Sequence, residues 1–105
     1  YSNDELIKEI YPGIRTAHGY PACPDHSCKE MIWSLLKVKS NLNVSLTENY
    51  AIYPPSSISG LYFYNKEAKY FSVGKINEQQ FEIYSDKSDI DIKKLRSILQ
   101  NNLDK

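Results

Sequence analysis

Between Gly13 and His26 the chain gathers Arg15, His18, Cys23, Asp25 and His26 around Gly19, Pro21 and Pro24. Proline fixes φ and removes an N–H, whereas glycine frees the backbone, so this composition suits neither a long helix nor a sheet and predicts a shaped loop. Within it, Arg15-x-x-x-Gly19-Tyr20 has the parts of a small anion site. The guanidinium is a planar fork that matches a carboxylate or phosphate, and a glycine lets backbone approach a ligand with no side chain between them. The same residues also suit a structural turn whose arginine makes an ion pair.

Other chemistry is present only in part. His18, Cys23, His26 and Cys28 are zinc-binding residue types, but all four fall in one short proline-restricted stretch with no distant second pair. Cys23 beside His26 supplies a nucleophile and a base without an oxyanion hole or an orienting third group. No Gly-x-Gly-x-x-Gly or Gly-x4-Gly-Lys-Ser/Thr run occurs. These readings predict no catalytic residue and no metal. What the inventory does permit is a cleft built from Glu9, Arg15, Tyr20, Tyr62, Tyr64, Tyr70 and Phe71. There a carboxylate and a guanidinium can clamp the two ends of an amino acid, while the rings stack on a base or attract a cation by about 0.5–2 kcal/mol.

The 105 residues allow one domain, residues 1–105, and the balance of 13 basic against 13 acidic side chains gives no basic face for nucleic acid or an anionic membrane. No apolar run is long enough to span a bilayer, and no signal-peptide pattern opens the chain, so a cytoplasmic location with reduced thiols is expected.

The elements that must position these groups read as an α+β fold, a small antiparallel sheet with flanking helices. Ser2-Asn3-Asp4 caps a helix over Glu5–Ile10 that stops near Pro12. Ser27 caps a second from Cys28 to Lys37, with Met31, Ile32, Leu35 and Leu36 as its apolar stripe. Alternation at Leu42, Val44 and Leu46, then Tyr50–Tyr53, predicts strands before Pro54 and Pro55. A hairpin is expected between Ile58–Tyr64 and Lys69–Ile76, turning at Asn65–Ala68. Asn77 with Gln80 opens a helix through Tyr84, Asp91 opens another whose Ile92, Leu95, Ile98 and Leu99 fall on one face, and the tail after Asn101 frays.

Taken in order, Tyr11-Pro-Gly-Ile-Arg15, Gly19-Tyr-Pro-Ala-Cys-Pro24-Asp-His26, Leu46-Thr-Glu-Asn-Tyr-Ala51, Ser57-Ile-Ser-Gly-Leu-Tyr-Phe63 and Lys69-Tyr-Phe-Ser-Val73 closely resemble the C-terminal portion of the activation domain of cobalamin-dependent methionine synthase. The resemblance implies that the chain binds S-adenosylmethionine as the methyl donor for reductive methylation of cob(II)alamin, in support of methionine biosynthesis, as part of a methyltransferase. It implies donor contacts at Glu9, Arg15, Ala17, Gly19, Tyr70 and Phe71, with Tyr20 near the corrin and the cobalamin held by another domain. The implied partners are the cobalamin-binding domain and flavodoxin or a flavoprotein reductase. An interaction module that docks on a cobalamin protein or flavodoxin without a methyl donor is the alternative. Thr16 and His18 stand where family members commonly carry proline, and part of the family's donor site lies outside this sequence.

Overall fold

The computed structural model describes residues 1–104. In chain order it comprises α1 (Asn3–Ile7), β1 (Ile14–Thr16), a 3-10 turn (His26–Cys28), α2 (Lys29–Leu35), α3 (Val38–Leu42), β2 (Ser45–Leu46), β3 (Ile52–Tyr53), β4 (Leu61–Phe63), α4 (Glu78–Lys87) and α5 (Ile92–Ile98). The mixed α+β architecture matches the expectation, but the single sheet resolves into two antiparallel pairs, β1 with β4 and β2 with β3.

The helix starts obey local capping chemistry. Ser2 and Glu5 form a reciprocal capping box at α1, and Asn77 and Gln80 do the same at α4. Asp91 accepts the Lys94 N–H at the start of α5. α1 ends earlier than its apolar spacing suggests, because Glu9 turns into the left-handed region at φ 55°. Ahead of the second helix the side-chain cap is Asp25 rather than Ser27, and it caps the 3-10 turn that leads into α2: its carboxylate accepts the Ser27 N–H at 2.9 Å and the Ser27 hydroxyl at 2.6 Å. That helix also stops sooner than expected. Lys37 takes a left-handed φ of 48°, and the chain restarts as α3 where alternation suggested a strand from Asn41.

The expected hairpin is overturned. β4 does not pair with Lys69–Ile76; it pairs with β1, in the register Ile14↔Phe63, Arg15↔Tyr62 and Thr16↔Leu61. The turn itself is real, with the Ala68 N–H on the Asn65 carbonyl at 3.0 Å and the Glu67 N–H on the Asn65 side chain at 2.8 Å. The segment beyond it runs free of strand pairing until Ile76, touching the Gly13–His26 loop through the Val73 N–H and the Pro21 carbonyl at 2.9 Å. Part of that loop is therefore a strand, contrary to the reading of the whole run as irregular.

A packed core lies at the C-terminal end, where Phe81, Leu95 and Leu99 are buried against Ile76, Ile90, Ile98 and Leu103. Arg96 seals its edge, lying 4.4 Å from the Phe81 ring centre while its guanidinium grips Glu78 across α4 and α5. The tail docks instead of fraying. Ile76 pairs with Leu103, and the Asp104 N–H reaches the Ile76 carbonyl at 2.8 Å, because Leu103 is needed to cover the core. By contrast Ile7, Leu35 and Leu42 are exposed, so the apolar faces of α1 to α3 pack against little among the described residues. Phe81 is fully buried. Phe81→Ala should therefore cost about 3–5 kcal/mol of unfolding free energy, read from chemical denaturation midpoints.

Candidate functional site

The β1–β4 ladder sets Arg15 opposite Tyr62 and brings the Ser57–Gly60 loop alongside the Arg15–Tyr20 segment. Two glycines permit this approach. A Cβ on Gly60 would sit 2.9 Å from the Thr16 carbonyl oxygen, and one on Gly13, whose φ is 127°, would run into the Phe63 carbonyl. Between the two segments lies an open cleft of about 680 Å³, whose walls include Arg15, Ala17, Tyr20, Tyr62 and Tyr70.

Arg15 on the cleft wall pairs with Glu9, which stands just outside the lining. The Arg15 Nε lies 3.6 Å from the Glu9 Oε1, with both side chains more than half exposed. At that distance and exposure the pair contributes little stability, and the two terminal nitrogens of the guanidinium have no acceptor among the described residues. The left-handed turn at Glu9 is what swings its carboxylate over β1.

Of the residues expected in the site, Arg15, Ala17, Tyr20 and Tyr70 line one cleft and Glu9 stands beside Arg15. Phe71, Tyr64 and Gly19 lie outside the lining. Gly19 faces elsewhere. At φ 99°, its missing side chain leaves room for the His26 imidazole, and a Cβ there would fall 2.7 Å from Nδ1 and nearer still to other ring atoms.

Sequence reasoning about ligand contacts overlooked the polar floor of the cleft, formed by Thr16, His18, His26, Lys29 and the Ser57–Gly60 loop. Lys29 is buried, and its ammonium donates to His26 Nδ1 at 3.0 Å and to the Tyr50 carbonyl at 2.9 Å. Burial holds this amine below the usual lysine range. His18 and Thr16 are buried too, and His18 Nδ1 and Thr16 Oγ1 have no hydrogen-bond partner among the described residues. The only advance signal was the pair of histidines flanking Gly19 in a proline-rich stretch.

Behind His18 a smaller apolar cavity of about 370 Å³ is bounded by Cys23, Asp25, Cys28, Tyr84 and Leu99. Asp25 is its hub: Ser27, Tyr84 and Cys28 all donate to its carboxylate. Burial, with the Asp25 charge beside it, pushes the Cys28 thiol up, the opposite of what a nucleophile needs. The same causes push the Tyr84 phenol far above its normal range. Among the described residues no three His, Cys, Asp or Glu side chains gather around a point that could hold a metal ion.

Burial is the largest cause that lowers both His18 and His26 below the ordinary 6.5, with Lys29 adding to it; Asp25 opposes both. The unfolded chain thus takes up protons at a higher pH than the folded one. Stability should be full above about pH 6.5 and be lost as pH falls through the folded-state values. Melting temperatures recorded against pH should show this decline, and a His18→Asn, His26→Gln double variant should flatten it.

Comparison with known proteins places these features in a family. The model of the family described as vitamin B12 dependent methionine synthase, activation domain, matches residues 1–89. A solved chain described as the crystal structure of the MetH reactivation domain bound to AdoHcy superposes with a TM-score of 0.94 at 42% sequence identity. That match covers 100% of this chain and 32% of the solved one, so this chain spans about a third of its relative's length.

Proposed function

We infer the function of this chain from the family to which it belongs, the activation domain of vitamin B12-dependent methionine synthase: it contributes the cleft that holds S-adenosylmethionine while the donor's methyl group is delivered to cobalamin during reactivation. One observation carries the reading. A guanidinium with unspent donors lies on the wall of an open cleft of about 680 Å³, with a carboxylate 3.6 Å away. Those two charges, side by side, suit the carboxylate and ammonium ends of an amino acid. The volume falls within the roughly 300–1,000 Å³ usual for small-molecule sites. A relative of 42% identity is described as bound to AdoHcy, the demethylated form of that donor.

In this reading Arg15 takes the donor's carboxylate in a bidentate grip and Glu9 takes its ammonium. Ala17 offers backbone along the donor. Tyr70 lies against its nucleoside end with Phe71 next in sequence, and Gly19 acts on the same backbone from behind. Tyr20, 62% exposed at the rim, stands where the donor meets the corrin. A sulfonium methyl is already activated, and reduced cobalamin, bound by another part of the enzyme, supplies the nucleophile, so this chain needs no general base. Its task is to hold and aim the donor. The partners are then the cobalamin-binding domain and, for the electron, flavodoxin or a flavoprotein reductase.

The test is titration calorimetry of S-adenosylmethionine on the intact enzyme. Arg15→Ala should weaken binding by about 1.5–3 kcal/mol, the cost of losing a hydrogen-bonded charged contact. Unchanged affinity would remove the donor from this cleft and favour docking on a cobalamin protein or flavodoxin without a methyl donor.

A further inference from the structure

We propose that Lys29 is a positioning residue of the donor cleft, whose ammonium seats the His26 ring against Gly19 and thereby fixes the backbone between Arg15 and Tyr20. This rests on the donor-binding reading above and extends it to a residue that need not touch the donor.

The geometry is a relay of three contacts. Lys29 is only 7% exposed, and among the described residues no carboxylate lies within ion-pair distance of it. A buried ammonium without a counter-ion is costly unless its hydrogen bonds are well fixed. Here one goes to the Tyr50 carbonyl at 2.9 Å and one to His26 Nδ1 at 3.0 Å. Tyr50 is a firm anchor, itself 3% exposed, left-handed at φ 64° and covered by Lys94, whose ammonium lies 4.7 Å from its ring centre. At the other end, the His26 ring occupies the volume that a side chain on residue 19 would need. The Gly19 N–H is tied to the Cys23 carbonyl at 2.7 Å, so a ring that shifts leaves Gly19 unsupported on its open side.

The arrangement requires an unprotonated Nδ1 on His26, because an ammonium can only donate. A proton there would remove the acceptor and set two cations 3.0 Å apart. The charged and titratable groups facing His26 are Lys29 from α2, Asp25 ahead of the 3-10 turn and His18 from the loop opposite; of these Asp25 alone favours the cation. Acid therefore unseats the ring, and donor affinity falls with it.

Calorimetry of S-adenosylmethionine on the intact enzyme, over about pH 5 to pH 8, reads this directly. The wild type should lose affinity on the acid side, with a midpoint below the 6.5 of a free imidazole. Lys29→Met should bind about tenfold more weakly near neutrality and lose most of the acid limb, since no ammonium is left for a protonated ring to repel. His26→Gln keeps an acceptor for Lys29 but cannot titrate, and should abolish the limb. A limb that keeps its full size in Lys29→Met, or that survives in His26→Gln, overturns the proposal. If Lys29→Met fails to fold, His26→Gln decides alone. Arg15→Ala separates the two readings. Normal binding by that variant sinks the donor cleft itself, whereas its loss of binding beside unaltered acid limbs in the other two leaves the cleft and removes the role of Lys29.

Discussion

Three antiparallel residue pairs between β1 and β4 hold this protein's cleft together. The ladder is short, but it joins segments more than forty positions apart and sets the Arg15–Tyr20 loop against the Ser57–Gly60 loop. Backbone hydrogen bonds fix the spacing of those loops more tightly than side-chain packing can, since strands sit at a constant separation. Gly13 and Gly60 bracket the ladder, and both are needed because backbone carbonyls occupy the space where side chains would be. Placing Arg15 within a strand denies its backbone the freedom of a loop, so its guanidinium is presented from a rigid base.

Behind the ladder, a buried polar layer joins the cleft to the packed C-terminal core. Asp25 accepts hydrogen bonds from Ser27, two residues on in the chain, and from Tyr84 on α4, which ties the site loop to the helix that carries Phe81. Lys29 links the same loop to Tyr50 in the turn ahead of β3, and Lys94 on α5 covers Tyr50 from the far side. Burial pushes the Lys29 amine and both imidazoles down and the Cys28 thiol and Tyr84 phenol up, favouring the neutral form in every case. The layer is therefore held by directional hydrogen bonds more than by net charge, and its surroundings disfavour the thiolate form of Cys28.

The chemistry implied by the family explains why such a layer suffices. In the proposed function a methyl on a sulfonium would leave readily once a strong nucleophile faced it, so the protein would contribute orientation and would have no proton to move. The features at the cleft suit that proposed division of labour: a charge pair at Arg15 and Glu9, tyrosines along the side, and a hydrogen-bonded polar floor.

What the sequence determined by itself was much of what is decided within about one helical turn, though not the Asp25 cap or the early helix stops at Glu9 and Lys37. Ser2 with Glu5, Asn77 with Gln80, and Asp91 with the Lys94 N–H are contacts three residues apart, so the caps could be read directly, as could the Asn65–Ala68 turn. The apolar spacing of Leu95 and Leu99 located the core for the same reason. That Arg15 and Tyr70 share one cleft was legible because a guanidinium and aromatic rings are the side-chain types able to hold the end of an amino acid and the face of a base. The partner of β4 was not legible, since Ile14–Thr16 and Lys69–Ile76 offer comparable strand residues and only the folded chain chooses which edge reaches Leu61–Phe63. Nor was the purpose of Gly19: its positive φ is a local matter, but the imidazole it accommodates arrives seven positions later and is held by an ammonium that only tertiary packing buries.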